Sequence, residues 1–274
     1  MISRVLVPVD FSNGSAGCLR YAQALAQAVE APEVHVVHVF TPQTATANAV
    51  TTLPVEDLMN QREKGLNEFL AGIPTVPGVR RSAELMLGFA ADKIIDISGD
   101  YDLVVLGATG EADLLEEVFG SIASEVAQRA ECPVLLVPNK ARFRDYRHIL
   151  YASNSLSLSR SAVLKFKDFS RLFEARVHFV HVNESTEAPK PGEREALFAP
   201  LFSNPDPEFA FELHEVQAES VQEGLVDYLQ DHPIDLAVMV TRQRGFWARL
   251  FHQSETRQMV LHPETAMLVL HEEG

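Results

Sequence analysis

Cysteine is scarce: Cys18 and Cys132 are the only two in 274 residues, and they form no CxxC pair or ligand cluster. This argues against a disulfide framework and against structural zinc, and a reducing, cytoplasmic setting is expected. Also missing is any apolar run near the roughly 20 residues a membrane-spanning helix needs. The opening "MISRVLVPVDFS" has no signal-peptide pattern, because its short apolar run is interrupted by a charge. Basic residues are in deficit, 23 Lys+Arg against 38 Asp+Glu, for a net charge of −15 and a pI near 5.1. The deficit is shared evenly. Residues 1–143 hold 10 basic and 18 acidic residues (−8), and 144–274 hold the remaining 13 and 20 (−7). Two acidic halves repel polyanions, which argues against nucleic acid as a partner. No HExxH and no nucleophile elbow occurs, so the common hydrolase signatures are absent as well.

What remains is an ordinary globular composition, 46% hydrophobic and 22% charged, with length for two medium domains. The even charge split goes with an internal repeat. "SRVLVPVDFSNGSAGCLRYAQALAQAVEAPEVHVVHVF" and "RHILYASNSLSLSRSAVLKFKDFSRLFEARVHFVHVN" each run from an apolar stretch through a helix-like segment to a strand carrying His-Val, His38–Val39 and His181–Val182. "DLVVLG" (102–107) matches "DLAVMV" (235–240), and "CPVLLVP" matches "TAMLVLH". Two copies of one domain are expected, over 1–141 and 145–274, joined at "NKARFRDY".

Within the first copy, "RVLVPV", "EVHVVHVF", "RSAELML", "DLVVLG" and "PVLLVP" read as strands. Between them fall helical segments: 12–30 with Ser and Asn at its cap, 55–71, "FAADKIIDISG" with Ala90, Ile94 and Ile97 on one face, and 121–130. Strands alternating with helices, the central ones apolar throughout, predict an α/β fold: two tandem doubly wound, mainly parallel five-stranded sheets with helices on both faces.

In such a sheet ligands bind beyond the carboxyl ends of the strands, where strand order reverses. "VPVD", "HVF" and "LGATG" all end at that edge. Gly107 and Gly110, two residues apart, are followed after nine more by Gly120 and Ser121 at the start of a helix. Glycines let backbone approach a ligand, and the N–H groups of a helix start suit a phosphate. The competing reading of any one of these glycines is an ordinary turn; the long-spaced Gly-Ser at the right strand end favours a nucleotide.

On these residues the chain resembles the universal stress protein family, in a tandem form, over nearly all of 1–138 and more weakly over 147–271. ATP-binding members carry the pattern Gly, two residues, Gly, nine residues, Gly, Ser or Thr, matched here by Gly107, Gly110, Gly120 and Ser121. The resemblance implies a Rossmann-like pocket made by Pro8, Val9, Asp10, Val39, Leu106, Gly107, Thr109, Gly110, Gly120, Ser121, Ile122 and Ala123. Val9 and Val39 would offer backbone groups to adenine, and Asp10 would lie toward the ribose. It implies ATP or another adenine nucleotide as ligand. The chain departs from binding members at Glu111, where a basic residue is common, and at Ala123, where a hydroxyl is common. Glu116 and Glu117 add negative charge near the phosphates, which weakens a polyanion unless Mg²⁺ intervenes.

The second copy places Val240, Gln243 and Gln253 where the first has its glycines, keeps only Ser254, and has Asn154 for Asp10. Loss of the site is expected there. Its loop carries Arg242, Arg244, Arg249 and Arg257, which are expected to pair with segment 184–235, where 13 acids face Lys190 and Arg194. His35, His38, His178 and His181 alternate along strands with no accompanying carboxylate or cysteine cluster in sequence, so packed histidines and no metal site are expected.

The function expected is a stress-response switch or sensor that binds ATP in its first copy and is no dedicated enzyme, though slow hydrolysis is compatible with it. The alternative is a scaffold that binds a protein partner and no nucleotide. Expected assembly is an intra-chain pseudo-dimer through the final strands, 133–137 paired antiparallel with 266–270, with homodimers conceivable beyond that.

Overall fold

The computed structural model describes residues 2–41, 54–108, 120–153, 166, 169–183, 210–241 and 264–271. The chain divides into two compact units, Ile2–Phe143 and Arg144–Gly274.

In the first unit the order is β1 (Arg4–Pro8), α1 (Asn13–Ala28), β2 (Glu33–Phe40), α2 (Val55–Ala71), β3 (Arg80–Leu87), α3 (Ala90–Ser98), β4 (Leu103–Gly107), α4 (Ser121–Arg129) and β5 (Val134–Val137). The strands lie in the order β3-β2-β1-β4-β5, and every neighbouring pair is parallel. The chain starts at the middle of the sheet, runs outward to β3 and returns to β4. The strand order reverses between β1 and β4. Val5, Leu6, Val7, Val104 and Val105 are fully buried, as expected of strands covered on both faces. Burying each such side chain contributes roughly 1.5–3 kcal/mol.

Helix boundaries follow local chemistry. Ser12 caps α1, its side chain accepting from the Ser15 N–H at 3.0 Å. The other end closes with Ala31 N–H on Ala26 O at 2.7 Å and Glu30 N–H on Gln27 O at 3.3 Å. This pair of bonds requires a left-handed residue, and Glu30 supplies it at φ 57. In α3 the inward face differs from the expected one. Ala91, Ile94 and Ser98 are buried, in place of Ala90 and Ile97. A serine can stand in the core there because its hydroxyl donates to Ile95 O (2.7 Å) and accepts from Glu131 N–H (2.9 Å).

The second unit contains β6 (His148–Ser153), a short 3₁₀ turn (Arg171–Phe173), β7 (Arg176–Asn183), β8 (Phe211–Gln217), α5 (Val221–Asp231), β9 (Leu236–Thr241) and β10 (Ala266–His271). Its strands run β10-β9-β6-β7-β8, again all parallel. One detail shows how closely the two units correspond. Asp102 Oδ2, just before β4, accepts from the N–H groups of Ser3 (2.7 Å) and Arg4 (2.9 Å). Asp235 Oδ2, just before β9, accepts from Arg147 (2.8 Å) and His148 (3.0 Å). Each aspartate holds the start of its unit's first strand. No helix among the described residues is long and apolar enough to cross a membrane.

Candidate functional site

Because the strands of the first unit are parallel, β1, β2 and β4 deliver their carboxyl ends to one edge. Pro8 is the last paired residue of β1, opposite Val37. The chain continues for one more bond, Val9 N–H to Val37 O at 2.9 Å. Successive residues of a parallel strand turn their backbone groups to alternate sides. Val37 faces β1, so Val39 turns its N–H and C=O to the same side, beyond the point where β1 ends. This is the placement a planar heterocycle needs to pair with backbone.

Val9 is differently committed. Its N–H is used by Val37, and its carbonyl accepts from His38 Nδ1 at 2.8 Å. What Val9 has left to offer a ligand is the second lone pair of that carbonyl. Asp10 Oδ1 accepts from Ser12 N–H (3.0 Å) and Ser12 Oγ (2.6 Å), which ties the carboxylate to the start of α1. An ionised carboxylate has acceptor capacity beyond these two bonds, suited to ribose hydroxyls.

On the other side of the edge, Leu106 is buried and Gly107 half-buried at the end of β4. Ala108 follows, its N–H on Val137 O at 2.9 Å. Its carbonyl accepts from the Gly120 N–H at 2.8 Å. That bond holds the start of α4 against the end of β4. Gly120 is the cap residue of α4, and Ser124 N–H is bonded to Gly120 O at 2.9 Å. The N–H groups of Ser121, Ile122 and Ala123 precede that first intrahelical bond, so they are the orphan donors of a helix start. Ser121 is exposed, Ala123 buried, and Ile122 is 42% exposed, a large apolar side chain at the mouth of the edge. Thr109 and Gly110, with Glu111, Glu116 and Glu117, lie outside the described residues. Of the twelve expected site residues, ten are described, and all ten lie at this edge.

Three residues join them that sequence reading did not single out for the site. Phe11 has a positive φ of 68, uncommon for an aromatic residue, at the corner between Asp10 and the α1 cap. Its ring stacks on His38 with centroids 4.0 Å apart. His38 is buried, which holds its pKa below the ordinary imidazole value, opposed by the bond to Val9. Since Nδ1–H donates to Val9, Nε2 is the lone-pair nitrogen, and it is buried with no partner among the described residues. Arg62 of α2 places its guanidinium 5.8 Å from the Phe40 ring centroid at the end of β2. A cation therefore stands near this edge even though the glycine loop offers none. The signal for all three is contact between elements far apart in sequence, which local pattern does not carry.

Elsewhere the expectations divide. His35 Nδ1 lies against the Tyr101 hydroxyl and its Nε2 is 3.7 Å from Glu84, a packed histidine at a half-buried strand position. The expectation that no carboxylate accompanies these histidines fails at His178. The parallel pairing of β7 and β8 sets Glu212 beside it and His214 close by. In the second unit, Val240 occupies the strand-end position that Gly107 has in the first, its partner in register being Leu270. Asn154, Gln243, Gln253, Ser254, the four loop arginines, Lys190 and Arg194 lie outside the described residues.

Comparison with known proteins agrees with this architecture. The model of the universal stress protein family matches residues 1–138. A universal stress protein of Methanocaldococcus jannaschii is 28% identical over 147 residues, covering 50% of this chain and 82% of the relative. One of Bacillus subtilis is 28% identical over 148 residues, covering 50% of this chain and 99% of the relative. Among solved structures, a universal stress protein from Archaeoglobus fulgidus superposes with a TM-score of 0.71 at 15% identity, over 98% of this chain and 96% of that one. That likeness concerns the fold, and it extends across both units. With a parallel sheet reversing between β1 and β4 and a family match over the whole first unit's sheet, the chain belongs to the universal stress protein family.

Proposed function

We propose that the first unit binds an adenine nucleotide, ATP, at the edge formed by β1, β2, β4 and the start of α4, and that the protein acts as a nucleotide-dependent switch or sensor in the stress response. The observation that carries this reading is the Gly120–Ala108 bond. It sets the orphan N–H groups of α4 beside the reversal of strand order, at the place where the Gly107-to-Ser121 pattern requires a phosphate. Adenine would pair with Val39 and the Val9 carbonyl, ribose with Asp10, and phosphates with Gly107, Gly110 and the N–H groups of Ser121, Ile122 and Ala123. Mg²⁺ would offset the acidic loop.

The role is binding rather than turnover. Transfer of a phosphoryl group needs positive charge placed on the migrating oxygens. Arg62, the cation described against Phe40, lies at the adenine end of this edge. The second unit, with Val240 at the Gly107 position, is assigned no nucleotide.

Native mass spectrometry of the full chain tests the reading. One adenine nucleotide per chain is expected, retained after purification or taken up from millimolar ATP. A chain that stays empty under those conditions would favour a scaffold for a protein partner.

A further inference from the structure

The second unit carries a side-chain cluster that the nucleotide reading does not use. His178 lies on β7 directly opposite Glu212 on β8, and His214, two residues along β8, points to the same face. Glu212 Oε2 is 3.2 Å from His214 Nε2 and 4.0 Å from His178 Nδ1, and the ligating atoms of the three lie within 4.8 Å of one another. We propose that His178, Glu212 and His214 form a divalent metal site for Zn²⁺, with water completing the coordination.

The donor set is the first argument. Two imidazoles and a carboxylate are the ligands of open, four-coordinate zinc sites in which the last position is left to water. For metal–ligand bonds of about 2.0–2.1 Å, tetrahedral ligands stand about 3.3 Å apart. The His214–Glu212 separation already meets this, the Glu212–His178 separation needs a closure of several tenths of an ångström, and the two histidine nitrogens, within 4.8 Å, must close by up to about 1.5 Å.

The second argument is the support around the three. The other carboxylate oxygen of Glu212, Oε1, accepts from Arg176, leaving Oε2 to the imidazoles. His178 Nε2 is 2.9 Å from His148 Nδ1. With the Nε2–H of His178 donating there, its Nδ1 holds the lone pair, which the Tyr228 hydroxyl now binds at 2.8 Å. A metal-ligating histidine typically has its other ring nitrogen held in this way. Tyr228 of α5 and His232, the residue just past its end, stack on each other at 3.8 Å and cover the cluster, with His232 Nδ1 donating to the Tyr228 carbonyl at 3.0 Å.

The third argument is the first unit, which serves as an internal control. Equating Asp102 with Asp235 places Arg4 at His148, Glu33 at Arg176, His35 at His178, Ser82 at Glu212 and Glu84 at His214. The fold is thus satisfied there by one histidine beside an exposed glutamate. Packing of a β7-type histidine does not demand the extra imidazoles and carboxylate of the second unit, which are what a metal ion would use.

The test is titration of the full-length protein with Zn²⁺ against a metal-binding chromophore, together with Co²⁺ substitution read by visible absorption. Wild type is expected to take one competing Zn²⁺ per chain and to give a tetrahedral Co²⁺ band. Glu212→Gln, which keeps the volume and a partner for Arg176, and His214→Ala are each expected to weaken Zn²⁺ by at least about tenfold and to remove the band. His35→Gln, in the other unit, is expected to leave both unchanged. Wild type without Zn²⁺ uptake would overturn the assignment, as would full affinity in Glu212→Gln or His214→Ala, since the ion would then sit elsewhere.

Discussion

The Gly120 N–H donates to the Ala108 carbonyl at 2.8 Å, so the first turn of α4 begins where β4 ends. Gly120 has φ −61 and ψ 155, a region open to every residue, so a side chain there brings no backbone strain. Gly120 is buried, so the cost falls on what packs around it, which in the proposed reading includes the phosphates. Gly120→Val is expected to abolish ATP binding, measured by calorimetry, while circular dichroism stays native. ATP affinity equal to wild type would remove this loop from the site.

Asp10 and Ser12 tie the site to the start of α1. Ser12→Ala removes both the cap on Ser15 N–H and the hydroxyl that Asp10 holds. A destabilisation of about 1 kcal/mol is expected in urea unfolding, the usual loss for a helix N-cap. ATP affinity is expected to fall as well, because the Asp10 carboxylate loses its orientation. Asp10→Asn separates the two effects: stability near wild type, affinity reduced.

Glu30 adopts φ 57 at the end of α1 and is exposed. A left-handed residue with a Cβ costs about 1–2 kcal/mol, and glycine avoids that cost. Glu30→Gly is expected to stabilise the first unit by about 1 kcal/mol, read as a higher urea midpoint with an unchanged slope. A lower midpoint would mean that the Glu30 side chain makes a contact worth more than the backbone strain.

Both thiols are buried, and burial is the main cause that pushes Cys18 and Cys132 up to about 12, with Asp10 adding to the rise at Cys18. The thiolate is the reactive form. Iodoacetamide at pH 8 is therefore expected to leave native protein unmodified and to label both cysteines in denaturant, as counted by intact mass. Rapid labelling of the native chain would contradict the burial.

His35 and His38 each sit below the ordinary imidazole value because burial disfavours the charged ring. Glu84 and Glu33 oppose this at His35 while Arg4 reinforces it; at His38 the bond to Val9 and Asp10 oppose it while Arg62 reinforces it. The unfolded chain then binds protons first. Their penalty is absent above the unfolded pKa of about 6.5 and grows as pH falls from there through the folded values. The urea midpoint is expected to drop between pH 7 and pH 5.5. His38→Phe, which keeps a ring against Phe11, is expected to reduce the drop.

Much of this protein was legible along the chain. The strand "EVHVVHVF" coincides with β2, and residues 55–71 with α2, because hydrophobic period and helix caps are local properties. The repeat was legible for the same reason, since "DLVVLG" and "DLAVMV" preserve an Asp and an apolar strand. The inward face of α3 was misjudged by one residue at Ala90, because Ser98 reads as polar until its partners Ile95 and Glu131 are known.

Residue order alone determined the alternation of strand and helix, the internal repeat, and the glycine spacing of residues 107–121. Those follow from backbone sterics and side-chain period, which act over a few residues. Tertiary structure alone decided that Asp102 holds Arg4, that His38 occupies the Val9 carbonyl, and that Glu212 and His214 meet His178. Each of these joins residues on different strands, and strand register is set by how whole elements bury their apolar faces together, a choice that no short stretch of sequence contains.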